Sequence, residues 1–412
     1  MTETKRTAGP LEGIRILDLT SVVLGPMTAQ YLGDMGADVI KIEALEGDIA
    51  RTVGPRRSDR MAALFLATNR NKRSVVINLQ SPAGQAILRK MVASCDVLLH
   101  SIRTGSAERI GISYGALSPL NPRLIYCHVT GFSDAGAYAG RPAYDDIIQA
   151  LSGLARLQTV IAGEPRYVPS IVADKITAVH AAYAIALALF HRANTGLGQE
   201  VVVPMFETMV AFNAIEHLGG SIFEPPVGKM GYEPVLKGMR RPFKTRDGYL
   251  CVLPYTDMNW RRFFEIVARP DLAADPRFGT QAGRQRNLEI VLRELGAQLA
   301  TRTNADWLPL LQAADIPSAV VNDLEDLLVD PHLESIGFWK LVEHPSEGML
   351  RLPGIAIGMS GATPAIGRPP PRLGEHTREV LRTFDYDDAE IEQLAAGGVV
   401  ALGEPPSGGP DA

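Results

Sequence analysis

The sequence predicts an α/β protein: a parallel sheet with helices on both faces, followed by a smaller second unit. Three observations predict it. Short apolar runs, "GIRILDLTS", "DVIKIE", "RSVVINL", "DVLLHS" and "PRLIYCHVTGF", recur between residues 13 and 132. Segments of helical spacing separate several of them, which is the βαβ pattern that parallel strands require. Near residue 221 the texture changes: "FEPPVGKMGYEP" is a Pro/Gly-rich linker, and a differently patterned stretch follows.

The elements follow in order. "GIRILDLTS" is a strand that ends in polar residues, and "GPMTAQYLGDMGA" then places Met27, Tyr31, Leu32 and Met35 on one helical stripe. "DVIKIE" and "RSVVINL" are the second and third strands. "SPAGQAILRKMVASC" is a helix capped by Ser81 and opened by Pro82. Two more strands follow, then mostly helix over residues 141–200, including "DDIIQALSGLARL" and a helix over 175–192. "GQEVVVPMFETMVAFNAIEHLG" adds a strand and a helix. In the smaller unit, "PFKTRDGYLCVLPY" is a hairpin with its turn at Asp247-Gly248. Helices at 258–268, 284–300 and 304–314 come next, and "ADIPSAVVNDLEDLLVDPH" closes the unit. Residues 335–360 return to strand, and "RPPPRLGEHTREVLRTF" leads to a last helix. The expected division is 10–220 for the large domain, 221–334 for linker and small domain, and 335–390 for a return to the large domain. Residues 1–9 and 391–412 are expected as tails.

The chain has 412 residues, 46% of them hydrophobic and 21% charged, values typical of a globular protein with more than one domain. A net charge of −5 argues against a nucleic-acid partner, which needs a basic footprint. Cys95, Cys127 and Cys251 are widely spaced, with no CxxC pair, so reduced core thiols are expected. The opening "MTETKRTAGP" lacks an apolar core, and a cytoplasmic protein is expected. The apolar stretch Ile176–Phe190 falls short of the ~20 residues of a membrane span, so a buried helix and no membrane partner are expected.

The first strand-helix turn holds the single Gly25, so the dinucleotide fingerprint is missing, and Glu43 reads as a surface or turn carboxylate. Arg70, Lys72 and Arg73 precede one strand, and Arg103 and Arg109 follow another. Two basic sites at strand ends of one sheet suit an anionic ligand with several phosphates. His100, His128 and His180 sit in apolar elements and read as core residues. No HExxH or GxSxG occurs, and no metal site is expected. Asp145 or Asp146 suits the N-cap of the helix that follows Tyr144. Asp174 heads the 175–192 helix. As an N-cap it is worth about 1 kcal/mol. As a nucleophile it would gain from the helix dipole, which favours its ionised form, and from spare N–H groups nearby. The pattern leaves both roles open.

"ILDLTSVVLGPMTAQYLGDMGADVIKIE", "NRNKRSVVINL", "DVLLHSIRTGSAERIGI", "PAYDDIIQALSGL", "VADKITAVHAAYAIALALFHRANTGLGQEVVVPMFET" and "PPRLGEHTREVL" together resemble the class III CoA-transferases, from about residue 10 to 385. The resemblance implies a Rossmann-like large domain made of both chain ends, a smaller α+β domain between, and an interlocked homodimer. It implies transfer of CoA from an acyl-CoA donor to a carboxylic acid acceptor through an aspartyl-CoA thioester. CoA is then a substrate, with no permanently bound cofactor. The family nucleophile falls on Asp174. Positions that line CoA fall on Val22, Val23, Leu24, Ile77 to Gln80, Ser101, Ile102, Arg103, Arg109 and Pro142 to Asp145, with Tyr144 and Asp145 near the thioester. Lys72 and Arg73 join this set from the basic cluster. Formyl-CoA transferase carries polar or basic residues where this chain has Val23, Ala44, Gln80 and Pro142, which speaks against formyl transfer. The racemase offshoot of the family has a histidine where this chain has Tyr144. An acyl-CoA racemase and a non-catalytic acyl-CoA-binding protein are the alternatives. Arg240 and Arg241 suit either the second carboxylate of a dicarboxylic acid or an exposed basic turn.

Overall fold

The structure is a computed structural model that describes residues 9–403. The chain divides into two compact units. One contains the residues up to Arg156, Arg166–Ala214 and the residues from Ser335 onward; the other contains Leu157–Pro165 and Ile215–Glu334.

The first unit begins with strands β1 (Arg15–Leu19), β2 (Asp38–Glu43), β3 (Lys72–Ile77), β4 (Val97–His100), β5 (Ile125–Thr130) and β6 (Gln199–Pro204). The second unit carries a small antiparallel sheet of β7 (Phe243–Lys244), β8 (Tyr249–Val252) and β9 (Ser318–Val320). Its helices Asp257–Ile266, Leu288–Leu299 and Asn304–Ala313 enclose a separate core around Trp260, Phe263, Leu295 and Trp307. The chain then returns to the first unit with the antiparallel hairpin β10 (Trp339–His344) and β11 (Gly348–Pro353) and a last strand, β12 (Val400–Ala401).

The main sheet runs β12-β3-β2-β1-β4-β5-β6. β1 to β6 are parallel, and β12 is antiparallel to β3. Side chains alternate between faces. Leu17, Ile40, Val75 and Leu98 pack on one side with Ile87, Leu88 and Met91 of the helix Pro82–Val92. That helix starts as its sequence predicts, with the Ser81 hydroxyl accepting the Gly84 N–H. Ile16, Val39, Val97 and Ile125 pack on the other side with Ala29 and Leu32 of the helix Leu24–Asp34 and with Ala181, Ile185 and Ala188. Strands sandwiched this way are apolar on both faces.

Four expectations are corrected here. Residues 391–403 are not a tail: the helix Asp388–Ala396 and β12 belong to the first unit, and Ile391 and Val400 are buried in its core. The rest of that expected tail, 404–412, and residues 1–8 lie outside the described residues. The apolar segment is longer than it reads: the helix Val172–Thr195 has 24 residues, enough by length and composition to cross a membrane, and Gly196 in the left-handed conformation ends it. It is also only half-buried. One face packs on the sheet, and Val179, Tyr183, Leu187 and Phe190 are exposed on the other. His180 is likewise exposed, with Nδ1 2.8 Å from its own helix's Ile176 carbonyl. Cys95 and Cys127 are buried, but Cys251 is exposed, because alternate residues of β8 point outward.

Candidate active site

From β1 the strand order runs outward in both directions, so the crevice at the carboxyl ends of β1 and β4 is the topological switch point, where α/β sheets bind ligands. A cavity of ≈ 210 Å³ opens there. Its walls are Ser21–Gly25 after β1, Ser101 and Arg103 after β4, Val129–Gly131 at the end of β5, Met205 after β6, the segment Arg141–Tyr144, and Asp174.

Asp174 is the third residue of the helix Val172–Thr195, not its cap. Ile171 holds the cap position, and its side chain cannot accept a hydrogen bond. Asp145 supplies the missing acceptor from elsewhere in the chain. Its Oδ1 accepts the N–H of Ala173 at 2.7 Å and of Asp174 at 3.0 Å, while its Oδ2 accepts from Gln149 Nε2 at 2.6 Å. Gln149 Oε1 in turn accepts the Val168 N–H at 2.9 Å. The helix that starts after Tyr144 therefore fixes the start of the helix that carries Asp174. Neither Asp145 nor Asp146 caps its own helix, because both lie inside its first turn.

Among the described residues nothing donates a hydrogen bond to the Asp174 carboxylate, whose residue is 9% exposed. Burial first, and the charge of Asp145 second, push its pKa up to about 7. The helix dipole is thus outweighed by desolvation. The result is a carboxylate whose oxygens meet no donor among the described residues, at a cavity wall, with its pKa raised to about 7, a combination typical of reactive groups. Arg103 and Arg141 border the same cavity, are exposed, and form no ion pair among the described residues. Arg141 lies over the Tyr138 ring, 4.3 Å from its centroid.

Residues 11–377 match the model for CoA-transferase family III. The chain belongs to CoA-transferase family III. It is 32% identical to the mouse succinyl-CoA:glutarate CoA-transferase over 393 residues, which covers 95% of this chain and 90% of the relative. It is also 32% identical to the succinate–glutarate CoA-transferase of Agrobacterium fabrum, covering 93% of this chain and 98% of that one. The crystal structure of Rv3272 from M. tuberculosis superposes with a TM-score of 0.79 at 28% identity, covering 90% of this chain and 99% of the other.

Of the residues that the sequence singles out in this family III chain, Val22, Val23, Leu24, Ser101, Arg103, Tyr144 and Asp174 line the cavity, and Asp145 lies just behind it. Ile77 to Gln80, Ile102, Arg109, Lys72 and Arg73 do not line it. Ile77 is buried in the core, and Ile102 packs against that core. Gln80 is exposed beyond β3, and Arg109 is exposed with Nη2 donating to Ser106 Oγ at 2.8 Å.

Lys72 and Arg73 are committed to carboxylates. Lys72 is wholly buried and donates to Asp18 Oδ2 (2.9 Å), the Pro26 carbonyl (2.8 Å) and Asn69 Oδ1 (2.9 Å). Arg73 pairs with Asp38 at 2.7 Å and Glu379 at 3.0 Å, and the neighbouring Arg70 pairs with Asp34 at 2.7 Å. The basic cluster is an internal brace, not a free phosphate grip. Glu43 is corrected too: it is buried, and against that burial Arg51 at 2.7 Å holds its pKa down to about 2. The sequence reading passed over Arg141 and the acidic Asp48. A basic residue three positions before Tyr144 was the available signal for the first; nothing local marks the second.

Proposed function

We propose that this chain moves CoA from an acyl-CoA to a carboxylic acid, with Asp174 as the nucleophile. The observation that carries the reading is the Asp174 carboxylate itself, without a hydrogen-bond donor among the described residues and set in the wall of the switch-point cavity. An oxygen of Asp174 attacks the thioester carbonyl carbon. The C–S bond breaks, leaving an acyl–aspartyl anhydride and CoA thiolate. The thiolate attacks the aspartyl carbonyl, expels the donor's carboxylate and makes an aspartyl-CoA thioester. The acceptor carboxylate attacks that thioester, and the released thiolate attacks the acceptor's acyl carbon, which frees Asp174. One thioester replaces another, so the exchange balances without a further reactant. Covalent catalysis divides the exchange into easier steps, and a recessed site protects the anhydride from water.

The acceptor class we infer is a dicarboxylic acid. Both relatives above are named for succinate or succinyl-CoA and glutarate, each a dicarboxylic substrate. Arg103 and Arg141 border the cavity without ion-pair partners among the described residues, and a guanidinium pairs well with a carboxylate. The exposed Arg240 and Arg241 lie in the other unit. A homodimer fits the apolar stripe Val179, Tyr183, Leu187 and Phe190, spaced for one helix face. Light scattering of the wild type and of Tyr183→Arg/Phe190→Asp tests this: a dimer that dissociates in the variant is expected.

The nucleophile is tested with succinyl-CoA as donor and glutarate as acceptor. Asp174→Ala and Asp174→Asn should lose transfer by at least about 10³-fold, the scale on which removing a covalent nucleophile acts. Wild type should yield a hydroxylamine-sensitive CoA adduct at Asp174 by mass spectrometry. Retained transfer in both variants, with no adduct on the wild type, overturns the assignment.

A further inference from the structure

Val22, on the cavity wall, has φ of 71°. This is the left-handed region, which a β-branched residue avoids. Such a conformation persists only where its surroundings hold it. Here the holding group is Asp48. Its Oδ1 accepts the Val22 N–H at 3.0 Å and the Ala50 N–H at 2.9 Å, and its Oδ2 accepts from Lys41 Nζ at 2.9 Å. Lys41 Nζ also donates to the Thr20 carbonyl at 2.9 Å. At the same end Asp18 Oδ1 accepts the Thr20 N–H at 3.0 Å, and on the far side of the turn Lys72 Nζ donates to the Pro26 carbonyl. The segment Thr20–Pro26 is therefore gripped at each end by a lysine ammonium and tethered in the middle by a carboxylate. Lys41, Lys72 and Asp18 are 0% exposed and Asp48 is 6% exposed.

Stability alone does not require such an arrangement. Buried ion pairs are often replaceable by apolar side chains without loss. What apolar side chains cannot supply is an acceptor aimed at one strained N–H. We propose that the Lys41–Asp48 pair is a positioning device for the chemistry of Asp174: it holds Val22 in the left-handed form and so sets the cavity wall formed by Ser21–Gly25. This rests on the reading of Asp174 as nucleophile.

A double-mutant cycle between Asp48→Ala, which removes the acceptor, and Val22→Gly tests it, because glycine adopts the left-handed form without a tether. In the native background Asp48→Ala should lower kcat about tenfold or more while changing KM for acyl-CoA by less than about threefold, the pattern of a lost transition-state geometry. In the Val22→Gly background the same substitution should cost less than about threefold. An equal loss in both backgrounds, or no loss in the native one, overturns the proposal. Amide exchange over residues 20–25 gives a readout independent of turnover: it should accelerate in Asp48→Ala, and unchanged exchange overturns the tether. A wild type without transfer and without an aspartyl adduct overturns the nucleophile instead, so the two failures are distinguishable. Should Asp48→Ala not fold, Asp48→Ala combined with Lys41→Met, which also removes the unpaired ammonium, is read in the same two backgrounds.

Discussion

The carboxylate of Asp145 both builds the turn that holds Asp174 and opposes the charge of Asp174: it accepts the Asp174 backbone N–H at 3.0 Å and helps raise the pKa of that residue to about 7. A nucleophile must be ionised, so the two effects pull in opposite directions at acidic pH and are reconciled above neutrality.

The first prediction is a pH profile. If Asp174 attacks as the carboxylate, kcat/KM rises with pH through about 7 and levels off above it. Asp145→Asn keeps an oxygen acceptor for the helix start but removes the negative charge. Its acid limb should move to lower pH. Rate profiles of the two proteins from pH 5 to 9 decide the matter, and coincident limbs would refute the coupling.

Stability should respond to the same group. An unfolded aspartate titrates near ~3.9. Between there and about 7 the folded chain binds a proton that the unfolded chain has lost, so stability falls as pH rises through this window. Above it the full cost is present. Asp174→Asn removes that cost, so the variant should be the more stable protein at pH 8, by up to about 4 kcal/mol at 1.36 kcal/mol per pKa unit. Its advantage should shrink at pH 5. Denaturant melts at the two pH values measure it, and an inactive variant no more stable than wild type at pH 8 would contradict the electrostatics.

The basic cluster before β3 should act on stability rather than on CoA affinity. Lys72→Met leaves Asp18 buried without its cation, at a cost of about 3–5 kcal/mol. Arg73→Ala, whose partners are partly exposed, should cost only about 1 kcal/mol. In Arg73→Ala the KM for acyl-CoA should stay at the wild-type value. A raised KM with undiminished stability would restore the phosphate-grip reading that the ion pairs displaced.

Arg103 and Arg141 should govern acceptor choice. A charge-assisted hydrogen bond is worth about 1.5–3 kcal/mol, or roughly 10- to 100-fold. Arg103→Ala and Arg141→Ala should each reduce the preference for glutarate over a monocarboxylic acid of similar length by about tenfold. Competition assays with the two acceptors read this ratio directly. If the ratio holds while KM for acyl-CoA climbs, the guanidinium groups serve CoA and not the acceptor.

The strands of the main sheet were legible because short apolar runs report burial directly, and the Asp174 helix was legible as a helix though not in its length or its buried face. The bond from Asp145 to the start of that helix was not, since it joins residues 29 positions apart that no local rule pairs. The same holds for Lys72 and Arg73: their partners Asp18 and Asp38 lie on β1 and β2, and only the assembled sheet brings them together. The helix Val172–Thr195 is apolar nearly all round, so composition could not say that one side would face solvent. β12 escaped notice because two paired residues carry too little pattern to read.

That last strand bears on how the molecule is made. Val400 and Ala401 pair with Ile77 and Val76, so on a ribosome the outer edge of β3 stays bare while more than three-quarters of the polypeptide is still to emerge. Residues Ile215–Glu334 leave the exit tunnel before the segment that finishes the sheet. The newborn chain therefore passes through a stage in which Val76 and Ile77 have no strand against their outer side, an exposed edge open to other pairing.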